Sequence, residues 1–196
     1  MKPGKPRQMA NMAHDKSAGS RFGRRDGARR VKNKDVFHQP GMGVALMASP
    51  LGDLRLSILN GCLTAIDILD SSDGQGPVPG ETGLPAQGEL AAYFEDGAHA
   101  FQIPLQLEGT DFQQKVWRAM REIPSGQVVT YGELARRLGT SARAVGNACR
   151  RNPCPIVVPC HRVVSAQGLG GYDGQTEGPL LERKRWLLRH EGAIGD

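Results

Sequence analysis

The 196-residue chain is 39% hydrophobic and 23% charged, ordinary values for a soluble protein with material for one good core, or for a small domain leaning on a larger one. No apolar run approaches membrane-spanning length and the start lacks a signal peptide's apolar centre, which excludes a membrane partner and predicts a cytoplasmic protein. The net charge of +5 is uneven: residues 1–35 hold eleven Lys/Arg against three Asp, a net +8 that leaves the remaining residues at −3, so nucleic-acid affinity in the folded part requires a local patch.

Residues 1–38 are rich in Gly, Lys, Arg and Ser with almost no large apolar groups, and such a segment does not bury enough surface to offset its ordering entropy. A disordered basic tail is predicted, either a non-specific DNA tether or a solubilising terminus. From Gly43 the pattern changes. Val44–Met47, Leu54–Ile58 and Cys62–Leu69 read as strands, the last two joined by Asn60-Gly61, a strong hairpin signal. A Gly/Pro/Ser loop runs from Ser71 to Gly83. Leu84–Phe94 then reads as a helix with Leu90, Tyr93 and Phe94 inward, and Ala100–Leu105 as a returning edge strand. Residues 39–108 thus read as a small α+β domain that carries no visible chemistry.

A second domain, residues 109–196, is predicted to be helical. Thr110 or Asp111 caps a helix with Phe112, Val116, Trp117 and Met120 at helical spacing, stopped by Pro124 and Gly126. Thr130-Tyr131-Gly132-Glu133 is a capping box that opens a short helix closed by Gly139. Ser141 caps the next helix, which is slim because it carries Ala142, Ala144, Gly146 and Ala148. Helix, Gly-containing turn, helix is the helix-turn-helix pattern. From Thr130 to Arg162 there are six arginines and one acid, Glu133, which is the local basic patch required. Arg143, in the first turn of the slim helix, is its best functional candidate.

The segment Asn152-Pro153-Cys154-Pro155-Ile156-Val157-Val158-Pro159-Cys160-His161-Arg162 delivers a thiol on a proline-stiffened run followed by imidazole and guanidinium. Positive neighbours lower a free-cysteine pKa of about 8.5, which suits a nucleophile. Adjacent side chains on an extended strand point apart, so the residues alone leave a reactive Cys160 and a buried structural one both open. The four cysteines (Cys62, Cys149, Cys154, Cys160) show no CxxC pairing and no disulfide framework. The spacing of Cys149, Cys154, Cys160 and His161 fits no common zinc finger, so no metal is expected. The Gly-rich stretch Ser165–Gly174 reads as a pocket wall, and Leu180–Leu188 as an amphipathic helix running into His190-Glu191-Gly192.

Taken in order, Gly-Thr-x-Phe-Gln, Val-Trp, Ile-Pro-x-Gly, Thr-Tyr-x-x-Leu-Ala, Arg-Ala-Val-Gly, Asn-Pro, Pro-Cys-His-Arg-Val-Val and Leu-Leu-x-His-Glu-Gly resemble the O6-alkylguanine-DNA alkyltransferases (methylated-DNA–protein-cysteine methyltransferases), over roughly residues 44–192. The resemblance implies a ribonuclease H-like N-terminal domain, and irreversible alkyl transfer from O6-alkylguanine, and from O4-alkylthymine, to Cys160. It implies no cofactor, one turnover per molecule, and a monomer acting on double-stranded DNA, nucleoid-associated in a bacterium. His161 is then the base acting through water, Glu191 orients it, Asn152 holds the cysteine segment, and Tyr131 donates toward guanine N3. Arg143 fills the stack that a flipped nucleotide vacates, while Ala142, Ala144 and Gly146 let the helix enter the minor groove. Val163, Tyr172, Asp173, Cys149 and Pro155 line the pocket, with the carbonyls of Cys160 and Val163 accepting from the guanine amine. The loop before Tyr172 is about one residue shorter than the family's spacing, and Asp173 stands where a neutral or basic residue is usual. Other classes are a recognition-only relative, which would lack the cysteine, a Cys-His hydrolase, and a transcriptional regulator reading unmodified DNA.

Overall fold

The computed structural model describes Met1 and residues 41–69, 84–172 and 177–195. The expected tail, the Ser71–Gly83 loop and Asp173 lie outside the described residues. Every element below belongs to one compact unit, residues 36–196.

Strands β1 (Met42–Met47), β2 (Leu54–Leu59) and β3 (Cys62–Ile68) form an antiparallel meander in the order β1-β2-β3. On β2, Leu54, Leu56 and Ile58 are buried while their neighbours are not, the alternation a one-sided sheet demands. Asn60 and Gly61 both take positive φ, 50° and 81°, as the two central residues of a type I′ turn do. Helix α1 (Pro85–Glu95) is tied to β1 by Gln87 Nε2, which donates to the Leu46 carbonyl at 3.0 Å. Its Leu90 and Tyr93 are fully buried.

The expected edge strand at Ala100–Leu105 reduces to one isolated bridge between Leu63 and Leu105. Pro104 supplies only a carbonyl there, accepting from Leu63 N at 2.9 Å, and its missing N–H prevents a longer ladder. The same edge of β3 makes a second contact that matters more, because Ile66 N donates to the Pro153 carbonyl at 2.8 Å. The sheet is thereby tied to the loop that leads to Cys160.

Helix α2 (Asp111–Arg121) starts on a capping box in which Thr110 Oγ1 accepts from Gln113 N, and it buries Val116, Trp117 and Met120. After β4 (Val129–Thr130) comes α3 (Tyr131–Leu138). Thr130 Oγ1 accepts from Glu133 N at 3.1 Å, and Gly139 ends the helix in the left-handed conformation, φ 67°, the standard glycine stop. Ser141 caps α4 (Ala142–Cys149). Ala148 faces inward, and its carbonyl accepts from the indole of Trp117 at 3.0 Å; its small size serves packing under α2. Strand β5 (Val163–Val164) pairs in parallel with β4, and α5 (Pro179–His190) closes the unit with Lys184, Leu187 and Leu188 buried. Among the described residues, no helix is long and apolar enough to cross a membrane.

Candidate active site and nucleic-acid interface

The approach to Cys160 is a constrained loop. Asn152 Nδ2 donates to the Val158 carbonyl at 2.7 Å while its Oδ1 accepts from Cys154 N at 3.0 Å, so one amide clamps both ends of the turn. Inside it, Ile156 is fully buried with φ of +76°. For a β-branched residue that conformation is a genuine outlier, costing about 1–3 kcal/mol, and it persists because the clamp and the burial fix it. Pro159 then sits at φ −80°, ψ 69°, with Cys160 N donating to the Val158 carbonyl at 2.8 Å. This is an inverse γ-turn. Residues Cys160–Arg162 follow as one turn of 3-10 helix. The stiff segment expected around Pro159 is thus built as two consecutive tight turns, because the proline's fixed φ suits a γ-turn as well as a strand.

His161 is fully buried and its Nε2 lies 2.8 Å from Glu191 Oε1. An ionised carboxylate only accepts, so Nε2 carries the proton and Nδ1 holds the lone pair. That Nδ1 is buried and makes no hydrogen bond to any described residue. Arg162, counted above with the basic patch, turns inward: Nε and Nη2 donate to Glu191 at 2.8 and 2.9 Å, and its third nitrogen, Nη1, to the Ile123 carbonyl at 2.5 Å. Burial alone raises the Glu191 carboxyl, but the hydrogen bonds and charges of His161 and Arg162 outweigh it and hold the group well below the ordinary carboxylate range. Burial pulls His161 the other way, toward the neutral imidazole. A neutral, oriented base therefore stands next in sequence to a thiol that is only 8% exposed.

Two further groups were not legible as functional in the sequence. Tyr93 of α1 donates to Glu191 Oε1 at 2.8 Å, so the N-terminal part of the chain reaches the site that its composition did not announce. Lys184 of α5 is buried, with Nζ donating to the carbonyls of Val163 at 2.7 Å and Gly171 at 3.2 Å. Burial lowers its pKa to about 8 against the opposing pull of Cys160 and Cys149, so at neutral pH it is a cation within electrostatic range of both thiols. Lys184 shares the face of α5 that carries Leu180, Leu187 and Leu188, but no local signal distinguishes an ammonium satisfied by carbonyls from a snorkelling lysine.

Tyr131 is half-buried at the start of α3, and its hydroxyl donates to the Gly171 carbonyl at 3.2 Å. Burial raises this phenol well above its ordinary value, which keeps it a donor. Gly170 makes the approach possible: at φ +69°, a Cβ there would lie 3.2 Å from Tyr131 Cε2 and 3.1 Å from Ser165 N. Cys149 and Tyr172 are half-buried and buried respectively, and Pro155 is half-buried in the clamped loop. The Val163 carbonyl already accepts from Lys184, and the Cys160 carbonyl from Val163 N; each keeps a second lone pair.

The α3–α4 pair presents Arg136, Arg137, Arg143, Arg150 and Arg151, all exposed. Ala142 is exposed, Ala144 and Gly146 are half-buried, and a Cβ at Gly146 would meet nothing within 4 Å. Gly146, four residues from exposed Ala142, therefore leaves open space on that face of α4.

Lys184→Met is expected to lower stability by about 1–3 kcal/mol, because the buried Val163 carbonyl loses its side-chain donor and the Gly171 carbonyl keeps only Tyr131. Linkage adds a sign. A lysine whose folded pKa is near 8, against 10.5 unfolded, binds fewer protons folded, so its contribution becomes more favourable as pH rises through that window. Urea unfolding at both ends of the window should show the wild-type advantage over Lys184→Met growing with pH.

A family model described as "6-O-methylguanine DNA methyltransferase, DNA binding domain" matches residues 111–193. Among curated proteins, the methylated-DNA–protein-cysteine methyltransferase of Mycobacterium tuberculosis is 42% identical over 151 residues, covering 73% of this chain and 88% of its own. The protein of that name from Salmonella typhimurium is 56% identical over 110 residues, covering 54% and 61%. The crystal structure of Mycobacterium tuberculosis O6-methylguanine methyltransferase superposes with a TM-score of 0.67 at 39% identity, covering 79% of this chain and 95% of that one. A complex of the Mycobacterium tuberculosis protein with DNA gives 0.64 at 40% identity, covering 76% and 91%.

Proposed function

Because this chain belongs to the methylated-DNA–protein-cysteine methyltransferase family, we propose that it repairs DNA by moving the alkyl group of O6-alkylguanine, and of O4-alkylthymine, irreversibly onto Cys160. The observation that carries the proposal is the buried His161, with Nε2 held by Glu191 and its Nδ1 lone pair unclaimed by the protein, adjacent to a thiol on the same 3-10 turn. His161 takes the thiol proton through one water, and the Cys160 sulfur attacks the alkyl carbon. The S–C bond forms as the C–O6 bond breaks, and the electron pair goes to the base. The phenol of Tyr131 is held protonated by burial and leaves the Gly171 carbonyl to donate toward guanine N3 as that charge builds. The proton from His161 returns through solvent to give neutral guanine. A thioether has no route back to thiolate, so each chain acts once and needs no cofactor.

An O6 atom inside a duplex is out of reach of a thiol this buried, so the nucleotide must be rotated out. Exposed Arg143, in the first turn of α4, enters the vacated stack, and the small surface of Ala142, Ala144 and Gly146 admits the minor groove, where shape is read rather than sequence. The pocket is closed by Val163, Tyr172, Cys149 and Pro155. The protein acts as a cytoplasmic monomer, on the nucleoid in a bacterium.

Arg143→Ala tests the flipping step. Unstacking costs a few kcal/mol, so transfer from O6-methylguanine in duplex DNA should fall by roughly tenfold or more. Transfer from free O6-benzylguanine should stay at the wild-type rate. Equal loss on both substrates would remove Arg143 from the stack.

A further inference from the structure

Glu191 Oε1 accepts from three donors at once: His161 Nε2 at 2.8 Å, Arg162 Nη2 at 2.9 Å and the Tyr93 hydroxyl at 2.8 Å. The first two lie on the 3-10 turn beside Cys160. The third comes from α1, 98 residues away in sequence, in the part of the chain with no chemistry of its own. Tyr93 is held firmly for this contact. Its ring is fully buried between Phe94, Phe101 and His190, at centroid distances of 5.5, 5.2 and 5.2 Å, and its own carbonyl accepts from His190 Nε2 at 2.6 Å. Ring packing alone does not require the hydroxyl. A phenylalanine would fill the same space, so the O–H aimed at a buried carboxylate needs a separate account.

We propose that Tyr93 is a positioning residue of the proton relay: its phenol occupies part of Oε1, so the N-terminal part of the chain limits how strongly Glu191 stabilises the imidazolium and keeps His161 a free base at neutral pH. The proposal rests on the reading of His161 as the base that takes the Cys160 proton. A carboxylate oxygen shared among three donors is a weaker partner for each, and the charge that an imidazolium requires is already partly spent on Tyr93 and Arg162. The groups facing the relay are Tyr93 from α1, Arg162 from the 3-10 turn, Lys184 and Glu191 from the α5 region, and the Ile123 carbonyl behind Arg162. Burial is the largest influence against the protonated ring, and the charges of Arg162 and Lys184 act the same way; the contribution assigned to Tyr93 is exerted through Oε1. Burial and the Glu191 charge keep the Tyr93 phenol protonated far beyond neutral pH, so the contact is a hydrogen bond at every pH at which transfer is measured.

The test is the pH dependence of single-turnover transfer from a duplex containing O6-methylguanine, for the wild type, Tyr93→Phe and Phe101→Leu. Removing the phenol frees Oε1 for His161, raises the ring's affinity for a proton, and should move the acidic limb of the profile to higher pH by about one unit. Phe101→Leu disturbs the same aromatic cluster without touching the hydroxyl; it should lower the melting temperature and leave the limb in place. An unmoved limb in Tyr93→Phe, or an equal shift in Phe101→Leu, overturns the assignment. Should Tyr93→Phe not fold, 3-fluorotyrosine placed at position 93 makes a stronger donor and must move the limb to lower pH; no movement again overturns it. A wild-type profile with no acidic limb would instead remove His161 as the base, so the two failures are distinguishable.

Discussion

Glu191→Gln is expected to lose most of both its stability margin and its activity. The residue's side chain is fully covered and faces an Arg162 side chain only 9% exposed, so the substitution leaves a guanidinium buried without its counter-charge. Removing one partner of a buried pair costs about 3–5 kcal/mol, against roughly 1 kcal/mol or less for the exposed Arg55–Asp67 pair at 3.0 Å. For a unit of this size each kcal/mol moves the melting temperature by about 2–4 °C, so a fall of roughly 10 °C is expected by calorimetry. The loss is pH-dependent. A carboxyl held below its ordinary value contributes its stability above the ordinary carboxylate range and forfeits it as pH falls through the folded value. The melting curves of Glu191→Gln and the wild type should therefore converge in acid. Transfer should fall by about 10² or more, the usual contribution of a positioned base, because the amide holds His161 without its charge. Curves that stay equally separated from pH 7 down to pH 3 would mean that Glu191 is not the ionised partner of Arg162.

Cys160→Ala should abolish transfer outright and leave binding to an O6-methylguanine duplex close to the parent's. No other thiol among the described residues is fit to replace it. Burial pushes Cys154 up to about 12 and Cys149 higher still, so neither offers much thiolate, and Cys62 lies on β3 in the sheet. The nucleophile must be a thiolate. Cys149 is the informative control because it lies within electrostatic range of Cys160. A methyl group found on Cys149 in the variant would show that position along the pocket, not activation by His161, selects the sulfur. Trimming one sulfur from a packed site costs about 1 kcal/mol, so the variant should fold and its fluorescence anisotropy with labelled duplex is a fair reading of binding.

What the sequence made legible was local. The Asn60-Gly61 turn that joins two strands of the meander, the cap at Thr110 or Asp111, the capping box at Thr130, the Gly139 stop and the Ser141 cap all rest on residues within four positions of one another. The structure has them at those places. The holding role of Asn152 came from the resemblance rather than from local pattern, since its Nδ2 reaches a carbonyl six residues on. Three features were hidden for physical reasons. Pro159 fixes φ but not ψ, so an extended segment and an inverse γ-turn looked alike. Arg162 carried a charge that counted toward the surface patch until a carboxylate 29 residues later turned it inward. Tyr93 read as an inward residue of its helix, which it is, and Lys184 lay within an amphipathic helix with nothing to single it out. Their functional content lies in partners 98 and 21 residues away, and no periodicity encodes a partner. The pairing of His161 with Glu191 was available only through resemblance, since a 30-residue separation carries no local signal.

Transfer to Cys160 is tested most directly by the intact mass of the wild-type chain after incubation with excess duplex carrying one O6-methylguanine, followed by peptide mapping. A gain of one methyl group is expected, located on Cys160 and saturating at one per molecule however much substrate remains. An unchanged mass with binding retained, or a methyl group on any other residue, would contradict it.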